Sequence, residues 1–531
     1  MELITPDPSE TLEVIIPDWD QLKTDKKSIE KIANSILPTY LLKCRWYGGK
    51  ARKLKKVSVE HYLEMPLKDF KVFFLILNID YDRGESENYF LPISFAESIT
   101  GEIAVNPKAI IAAAKVDIRT GYLIDAIYDI RFQHHIYNCL SNSTCVKQQN
   151  GQISFSRGKG FKTFDPKKPI LSRVLEVDQS NSSIIFEEQY FLKIYRKLFR
   201  ETNPEVEVIR FLTESGNFEN IPAFAGSFAW ERKGIEPVTL GLMMEKVTSL
   251  SDSWVYTGDN LNDFLYGFLN ELFTIKENVF AKVDLLAKRT AEMHLALFTK
   301  TEDPLFKSEK FDKKYSTWYS SHLQKLLIKR IDLLKENFST IDESAQQLAT
   351  VFIDSQLLIK EYFDKIKNRK LDSMRTRIHG DYHLGQVLFT GGDYIIIDFE
   401  GEPESSISDR KIKHSPLKDV AGMIRSFHYA VCAKLYFSNE TAGADVEQLQ
   451  KAADRWYRLI TDTFLETYMN CIGKNSDLFK NKSEINFLLQ LHLLEKAVYE
   501  LGYELNGRPH WIKIPLKGIT HVLDEIEKLK D

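Results

Sequence analysis

Two hydrophobic patterns follow one another along the chain. Before about residue 250, short apolar runs such as 71–78 and 190–195 are rich in β-branched and aromatic residues and predict strands. After that point apolar residues recur every three or four positions, as in 286–297 and 494–505, which predicts amphipathic helices. The pattern therefore predicts an α+β protein with a β-rich N-terminal part and a mainly helical C-terminal part.

The order of the predicted elements divides the chain further. Residues 1–130 mix short strands with turns, which predicts a small β-rich domain. Residues 131–250 give a hairpin, a strand with Lys193 at its centre, a helix that begins at Asn203-Pro204, and further strands. We expect residues 251–531 to form one helical domain.

Segment 377–403 holds most of the polar groups that phosphoryl transfer requires. Asp381 lies in a turn-prone His-Gly-Asp triplet, Gln386 follows, and Asp398 ends a predicted buried strand. Protein kinases use the same order: an Asp that accepts the hydroxyl proton, then an amide and an Asp that bind metal. We therefore expect Asp381 to be the catalytic base and Gln386 and Asp398 to bind Mg²⁺. Asp-Phe-Glu in place of Asp-Phe-Gly favours a small-molecule kinase over a protein kinase.

His379 and His383 allow a rival interpretation, because two histidines at this spacing on one helical face bind zinc in some hydrolases. Gly380 opposes a helix here, and no Glu follows the first histidine to act as a base. The simpler prediction is that His379 braces the catalytic loop by hydrogen bonds.

The nucleotide side of the site is predicted from the strand around Lys193. A lysine among apolar neighbours in mid-strand is suited to reach the phosphates of ATP. Glu207, in the following helix, is its predicted partner, and Glu205 is the alternative, although a first-turn acid also suits the helix dipole. The turn upstream lacks glycine, so we expect short polar side chains to donate hydrogen bonds to phosphate there. These side chains are Ser180, Asn181 and Ser182.

Composition limits the class of protein. The net charge of −4 argues against a nucleic-acid or anionic-membrane surface as the main partner. No long apolar stretch and no signal-like start is present, so a cytoplasmic protein is expected. The five cysteines are scattered and contain no Cys-x-x-Cys pair, which predicts neither a disulfide framework nor a structural zinc site.

A candidate acceptor site lies on the helix predicted for 495–506 and in the segment that follows it. Carboxylates beside tyrosines are typical of sugar recognition, although an exposed charged helix face has the same composition. The candidate acceptor-binding residues are His379, Glu402, Tyr499, Glu500, Tyr503, Glu504 and Arg508.

Several motifs together resemble the bacterial maltokinase family. They are HGDYHLGQVL, IIIDFEGEP, SPLKDVAGMIRSFHYA, DQSNSSIIF and EKAVYELGYELNGRPHWIKIPL, and RWYGGKAR is similar to the N-terminal cap of that family. The resemblance implies a bilobal protein-kinase-like fold, similar to aminoglycoside phosphotransferases, preceded by a cap domain. It also implies that the γ-phosphoryl group of Mg-ATP passes to the anomeric hydroxyl of maltose.

The same resemblance implies maltose 1-phosphate as the product and trehalose synthase as a partner. Family members occur alone or fused to trehalose synthase, and the length of this chain predicts the stand-alone form. Two alternatives stay open: a kinase of another sugar or of an aminoglycoside, and a non-catalytic carbohydrate-binding scaffold. Tyrosines beside the acids favour a neutral sugar over an aminoglycoside, and the complete catalytic set favours an enzyme over a scaffold.

Overall fold

The computed structural model describes residues 12–162, 169–175, 180–269, 275–437, 446–473 and 476–528. It contains two compact units, of which the first comprises Met1–Ser215 and Pro222–Val247, and the second Gly216–Ile221 and Thr248–Asp531. The three-domain division stays a prediction, because the first unit contains both of the large sheets. Among the described helices, none is long and apolar enough to cross a membrane.

The first sheet of unit one has seven strands in the order β1-β5-β6-β4-β3-β2, and β12 pairs with β4. Its strands are β1 Glu13–Ile16, β2 Leu54–Pro66, β3 Lys71–Tyr81, β4 Glu87–Ala96, β5 Ile110–Val116, β6 Arg119–Asp125 and β12 Lys197–Leu198. The helices beside them are α1 Lys26–Lys31, α2 Leu37–Lys43 and α3 Glu102–Val105. β3 is buried along nearly its whole length, which explains its continuous apolar sequence.

The second sheet of unit one has the order β7-β8-β13-β14-β11-β10-β9. Its strands are β7 Cys145–Lys147, β8 Gln152–Arg157, β9 Ser172–Leu175, β10 Asn181–Phe186, β11 Tyr190–Tyr195, β13 Phe224–Arg232 and β14 Ile235–Glu245. The accompanying helices are α4 Ile130–Ser141 and α5 Pro204–Glu214. In the β10–β11 hairpin Ser183 lies opposite Lys193, and Lys193 in turn lies opposite Leu242 of β14.

The two sheets share a hydrophobic core. One cluster joins residues of the first sheet, such as Phe74 and Phe90, to residues of the second, such as Ile184, Leu192 and Val238. A separate cluster lies beneath the helices of residues 26–43. The N-terminal sheet is therefore packed into the same unit as the sheet that carries Lys193.

The second unit is mainly helical. Its helices are α6 Ser253–Leu269, α7 Glu277–Leu297, α8 Lys313–Glu336, α9 Glu343–Asp354, α10 Gln356–Asn368, α11 Ile407–Arg410, α12 Leu417–Phe437, α13 Val446–Ile472, α14 Lys482–Gly507 and α15 Lys513–Lys528. Its short strands are β15 Ser251–Asp252, β16 Glu309–Lys310, β17 Met374–Arg375, β18 Val387–Phe389 and β19 Tyr394–Ile396. The predicted α+β class, β-rich first and helical afterwards, is confirmed.

Segment 377–403 is held among these helices by a small sheet. β18 and β19 form an antiparallel hairpin in which Val387 pairs with Ile396, and β15 adds at its edge. The apolar stripe predicted for α7 is buried, including Leu286 and Met293. The hairpin therefore holds the residues just before and just after it, Gln386 and Asp398, close to each other.

Candidate active site

The loop that carries Asp381 is braced by its own histidine. The Asp381 backbone N–H donates to Nδ1 of His379 (3.3 Å), and Nε2 of His379 donates to the Ile397 carbonyl (2.8 Å). Gly380 has a φ of 88°, and a Cβ at that position would lie 3.2 Å from Cα of Gly401. Because both ring nitrogens are engaged, His379 supports the loop, and neither the zinc interpretation nor its assignment as an acceptor-binding residue holds.

Asp419, at the start of α12, fixes the same loop by hydrogen bonds to its backbone. Its two carboxylate oxygens accept the backbone N–H groups of His379 (2.7 Å) and Gly380 (2.9 Å). His294 contacts this carboxylate at 3.1 Å. Burial opposes ionisation, but the hydrogen bond from His294 lowers the pKa of Asp419. Asp419 was not predicted as a functional residue, although it lies in the SPLKDVAG motif.

Gln386 and Asp398 meet at the end of the hairpin. Nε2 of Gln386 donates to Oδ2 of Asp398 (2.9 Å), and the Ile397 backbone N–H donates to the Gln386 carbonyl (2.9 Å). Asp398 has a φ of 66°, a left-handed conformation that is uncommon for a residue with a side chain. The amide nitrogen makes this contact, and the Gln386 amide oxygen and the Asp398 carboxylate are the types of donor that Mg²⁺ prefers, so the chemistry of these residues fits the predicted metal.

Lys496 of α14 joins two carboxylates of segment 377–403. Its Nζ lies 2.9 Å from Oδ1 of Asp381 and 2.9 Å from Oε1 of Glu402. Burial alone would raise the pKa of Asp381, but Lys496 lowers it to about 2, and the two carboxylates raise the pKa of Lys496 well above its usual value. Lys496 was missed from sequence, where only the acids and tyrosines of this helix were considered.

A pocket of about 230 Å³ opens beside Glu402. Arg330 and Tyr499 line it, and Nη2 of Arg330 donates to Glu404 (2.7 Å). Within the described residues, the buried Tyr499 hydroxyl and Nε of Arg330 have no hydrogen-bond partner. Buried polar atoms of this kind are normally satisfied, so the pocket suits a ligand that carries hydroxyl groups.

The Lys193 ammonium pairs with Glu205, the alternative to the predicted partner Glu207. Nζ of Lys193 lies 3.0 Å from Oε2 of Glu205, which also accepts the Tyr195 hydroxyl (2.7 Å). Asn203 caps α5 by accepting the Glu205 backbone N–H (2.9 Å). Two residues further along a helix a side chain points about 200° away, so Glu207 leaves the face that Glu205 presents to Lys193.

Comparison with known proteins adds the family context. Residues 40–129 match the maltokinase N-terminal cap domain. A glucosamine kinase from Streptacidiphilus jiangxiensis is 23% identical over 363 residues, which cover 68% of this chain and 74% of that protein. A glucosamine kinase from Mycolicibacterium smegmatis is 31% identical over 153 residues, 28% of this chain and 34% of the relative.

A solved structure of glucosamine kinase in complex with glucosamine, ADP and inorganic phosphate superposes with a TM-score of 0.63. The two sequences are 16% identical, and the match covers 93% of this chain and 99% of the other. The chain has the fold of a glucosamine kinase and carries a maltokinase cap domain. The predicted kinase-like fold with an N-terminal cap is therefore confirmed.

In this kinase fold the predicted phosphate-binding turn is only partly described. The turn was predicted for residues 178–183, and its first two residues lie outside the described residues. Asn181 and Ser182 belong to β10 and are buried, and Oγ of Ser182 accepts a hydrogen bond from Nε of Arg196 (2.8 Å). Accepting this bond leaves the Ser182 O–H able to donate, so its phosphate contact stays a prediction. Ser182 pairs with Ile194, so its side chain lies on the opposite face of the hairpin from Lys193. Ser180, which Asn181 contacts at 3.3 Å, stays a candidate.

Four of the predicted acceptor-binding residues, in α14 and just after it, either form ion pairs within the protein or are exposed. Glu500 forms a bidentate ion pair with Arg425 (2.6 and 3.3 Å). Glu504 binds Arg508 (2.8 Å), and the Tyr503 side chain is 52% exposed. Glu500, Glu504 and Arg508 therefore stabilise the helical packing, whereas Glu402 and Tyr499 lie with Lys496. Spacing along α14 could not reveal this, because the partner of Glu500 comes from α12.

Proposed function

We propose that this protein is an ATP-dependent sugar kinase. The observation that carries the proposal is the arrangement of segment 377–403. Lys496 holds Asp381, Gln386 binds Asp398 at one end of the β18–β19 hairpin, and His379 links the two by bonding to the Asp381 N–H and the Ile397 carbonyl. One carboxylate is available to take a hydroxyl proton, and an amide and a second carboxylate suit a divalent cation. The Lys193–Glu205 pair of the first unit is the group we assign to the nucleotide phosphates.

Each residue has a distinct role in this mechanism. Asp381 accepts a hydrogen bond from the acceptor hydroxyl, orients it and takes its proton as the new O–P bond forms. The bond between the γ-phosphorus and the β,γ-bridging oxygen of ATP breaks in the same step, and ADP leaves. Lys496 keeps the carboxylate ionised and in place. Gln386 and Asp398 would hold Mg²⁺, which neutralises phosphate charge when it is bound. His379 and Asp419 keep the loop rigid, so that little geometric rearrangement precedes the reaction.

We propose maltose as the acceptor. The cap match and the motifs shared with maltokinases support this choice. Three carboxylates that line the pocket already pair with cations of the protein, which disfavours a sugar that brings its own ammonium group. These pairs are Glu402 with Lys496, Glu404 with Arg330 and Glu495 with Lys418. The pocket beside Glu402 has room for one sugar ring, so the second ring of maltose would extend beyond it.

Glucosamine is the second candidate, because the similar proteins described above are named glucosamine kinases. The glucosamine kinase structure covers 93% of this chain, and the uncovered remainder is shorter than the cap match. The cap is therefore compatible with either acceptor. A one-ring pocket also suits a monosaccharide.

The deciding experiment is an ADP-release assay with Mg-ATP and a panel of maltose, glucosamine, glucose, trehalose and kanamycin. We expect release with maltose, and the product should be identified by NMR as phosphorylated at the anomeric position. The Asp381→Asn variant should lose about 10²–10⁴-fold in kcat while it still binds Mg-ATP. Release only with glucosamine would select the second candidate, and no release with any sugar would contradict a sugar kinase.

A further inference from the structure

The strand that carries Lys193 continues directly into the sheet of the cap. β11 ends at Tyr195, and after one intervening residue, Arg196, the chain forms β12, which pairs with β4. The backbone N–H of Phe90 in β4 donates to the Arg196 carbonyl (2.7 Å). The cap sheet therefore fixes the main chain three residues after the lysine that we assign to ATP.

The Arg196 side chain strengthens this connection. It is fully buried, and its guanidinium group donates to Oδ2 of Asp125 in the cap (2.5 Å) and to Oγ of Ser182 in β10 (2.8 Å). The guanidinium carbon also lies 4.7 Å from the ring centre of Trp46. One side chain thus binds the cap and the nucleotide-side hairpin at the same time.

Asp125 is itself fixed within the cap. It ends β6, its Oδ1 accepts the Ile127 backbone N–H (3.3 Å), and the Tyr40 hydroxyl contacts Oδ2 at 3.4 Å. Removing the carboxylate partner of a buried arginine strongly destabilises the folded protein. Asp125 therefore holds the guanidinium in one position.

The position of Arg196 matters because of the hairpin register. Ser182 pairs with Ile194, and the neighbouring pair is Ser183 with Lys193. Arg196 follows the end of β11 and binds the β10 side chain next to the Lys193 register position. Its two bonds therefore tie β10 to the cap one register position from Lys193.

We propose that Asp125 and Arg196 are positioning residues, through which the cap domain holds Lys193 and its hairpin in the geometry that binds ATP. This inference rests on the proposed function, in which Lys193 contacts the nucleotide phosphates. It also assigns a role to the RWYGGK motif, which the proposed catalytic mechanism does not use: Trp46 covers the guanidinium group of Arg196.

The Asp125→Asn variant tests the proposal, because it removes the charge and keeps the shape. We expect the KM for ATP to rise about tenfold, with the acceptor KM unchanged and kcat nearly so. Binding of a non-hydrolysable ATP analogue, measured by calorimetry, should weaken by the same factor. Asp129→Asn is the matched control, since Asp129 is also buried in this unit but pairs with Arg131 at 2.6 Å. It should alter thermal stability alone.

A second variant covers the case in which Asp125→Asn fails to fold. Ser182→Ala removes the Oγ bond to Arg196 and leaves the Asp125 pair intact, and a rise of about threefold in the KM for ATP is expected. In a Lys193→Met background, Asp125→Asn should cause no further loss of ATP-analogue affinity, because both changes act through the same lysine.

The outcomes separate the two proposals. If the wild-type protein binds no ATP analogue, the proposed function fails. If the wild-type protein binds it, but folded Asp125→Asn and Ser182→Ala keep a KM for ATP within about twofold of wild type, the positioning role is wrong. Additive losses in the Lys193→Met background would equally overturn it.

Discussion

Asp381 owes its charge state to a lysine that lies 115 residues away in sequence. A carboxylate with a pKa of about 2 is ionised throughout the working range of an enzyme, but it is also a weak base. We infer that Asp381 acts first by orienting the acceptor hydroxyl, and that it takes the proton late, when charge has moved to the phosphoryl group.

The Lys496→Met variant should change the pH dependence of turnover. Without the ammonium, burial raises the pKa of Asp381 above the ordinary aspartate value of about 3.9. Protonation then inactivates the variant as the pH falls through this higher pKa, whereas Asp381 of the wild-type protein stays ionised there. A profile of kcat/KM from pH 4 to 8 should therefore show an acid limb that Asp381 does not cause in the wild-type protein.

Lys513→Met is the control for this change, since it breaks a Lys–Asp pair with Asp342 (2.9 Å) in the same unit. Its profile should match that of the wild-type protein. Identical acid limbs in Lys496→Met and the wild-type protein would show that Lys496 does not set the pKa of Asp381.

At the scale of elements, α14 carries a candidate ligand-binding residue, Tyr499, and a glycine, Gly502, that allows another helix to pack closely against it. Gly502 faces the buried Arg330 of α8, and a Cβ at this position would lie 2.1 Å from Cζ of Arg330. The glycine therefore allows the guanidinium to cross the helix and reach Glu404 beside the pocket. Spacing alone cannot predict this, because the reason for the glycine lies on another helix.

Gly502→Ala should lower the free energy of unfolding by about 1–3 kcal/mol, because the new methyl group overpacks against a buried side chain. Gly507→Ala, at the end of the same helix, is the matched control, since no atom lies within 4 Å of its added Cβ. There, alanine should be neutral or stabilising. Urea unfolding followed by circular dichroism measures both, and equal effects at the two sites would contradict this packing role.

At the scale of the whole chain, the cap and the sheet that carries Lys193 belong to one compact unit. Phe74 and Phe90 of the cap share a core with Ile184, Leu192 and Val238. Removal of the cap would expose large apolar side chains of this core, and each exposed side chain costs about 1.5–3 kcal/mol of folding free energy. The N-terminal sheet is therefore expected to be required for folding.

A chain that begins at residue 130 should accordingly fail to unfold cooperatively and should be recovered mainly as aggregate. Differential scanning calorimetry and size-exclusion chromatography, each compared with the full-length chain, measure these two properties. A soluble truncated protein with one sharp transition and wild-type affinity for the ATP analogue would contradict this prediction, and it would also argue against the role assigned to Arg196.

The sequence by itself determined the α+β order of the elements, the kinase-like fold and the local grouping of Asp381, Gln386 and Asp398. The order of the elements follows from periodicity, and the grouping follows from spacing within one short segment, where a hairpin brings neighbours together. The fold was implied by the resemblance of the motifs to maltokinases. Only the tertiary structure decided that Glu205 pairs with Lys193 and that Lys496 holds Asp381. It also decided that Glu500, Glu504 and Ser182 each accept a hydrogen bond from an arginine. A side chain with several candidate partners binds the one that the packing of the chain brings next to it. Sequence spacing does not reveal which residues from distant segments will be packed together.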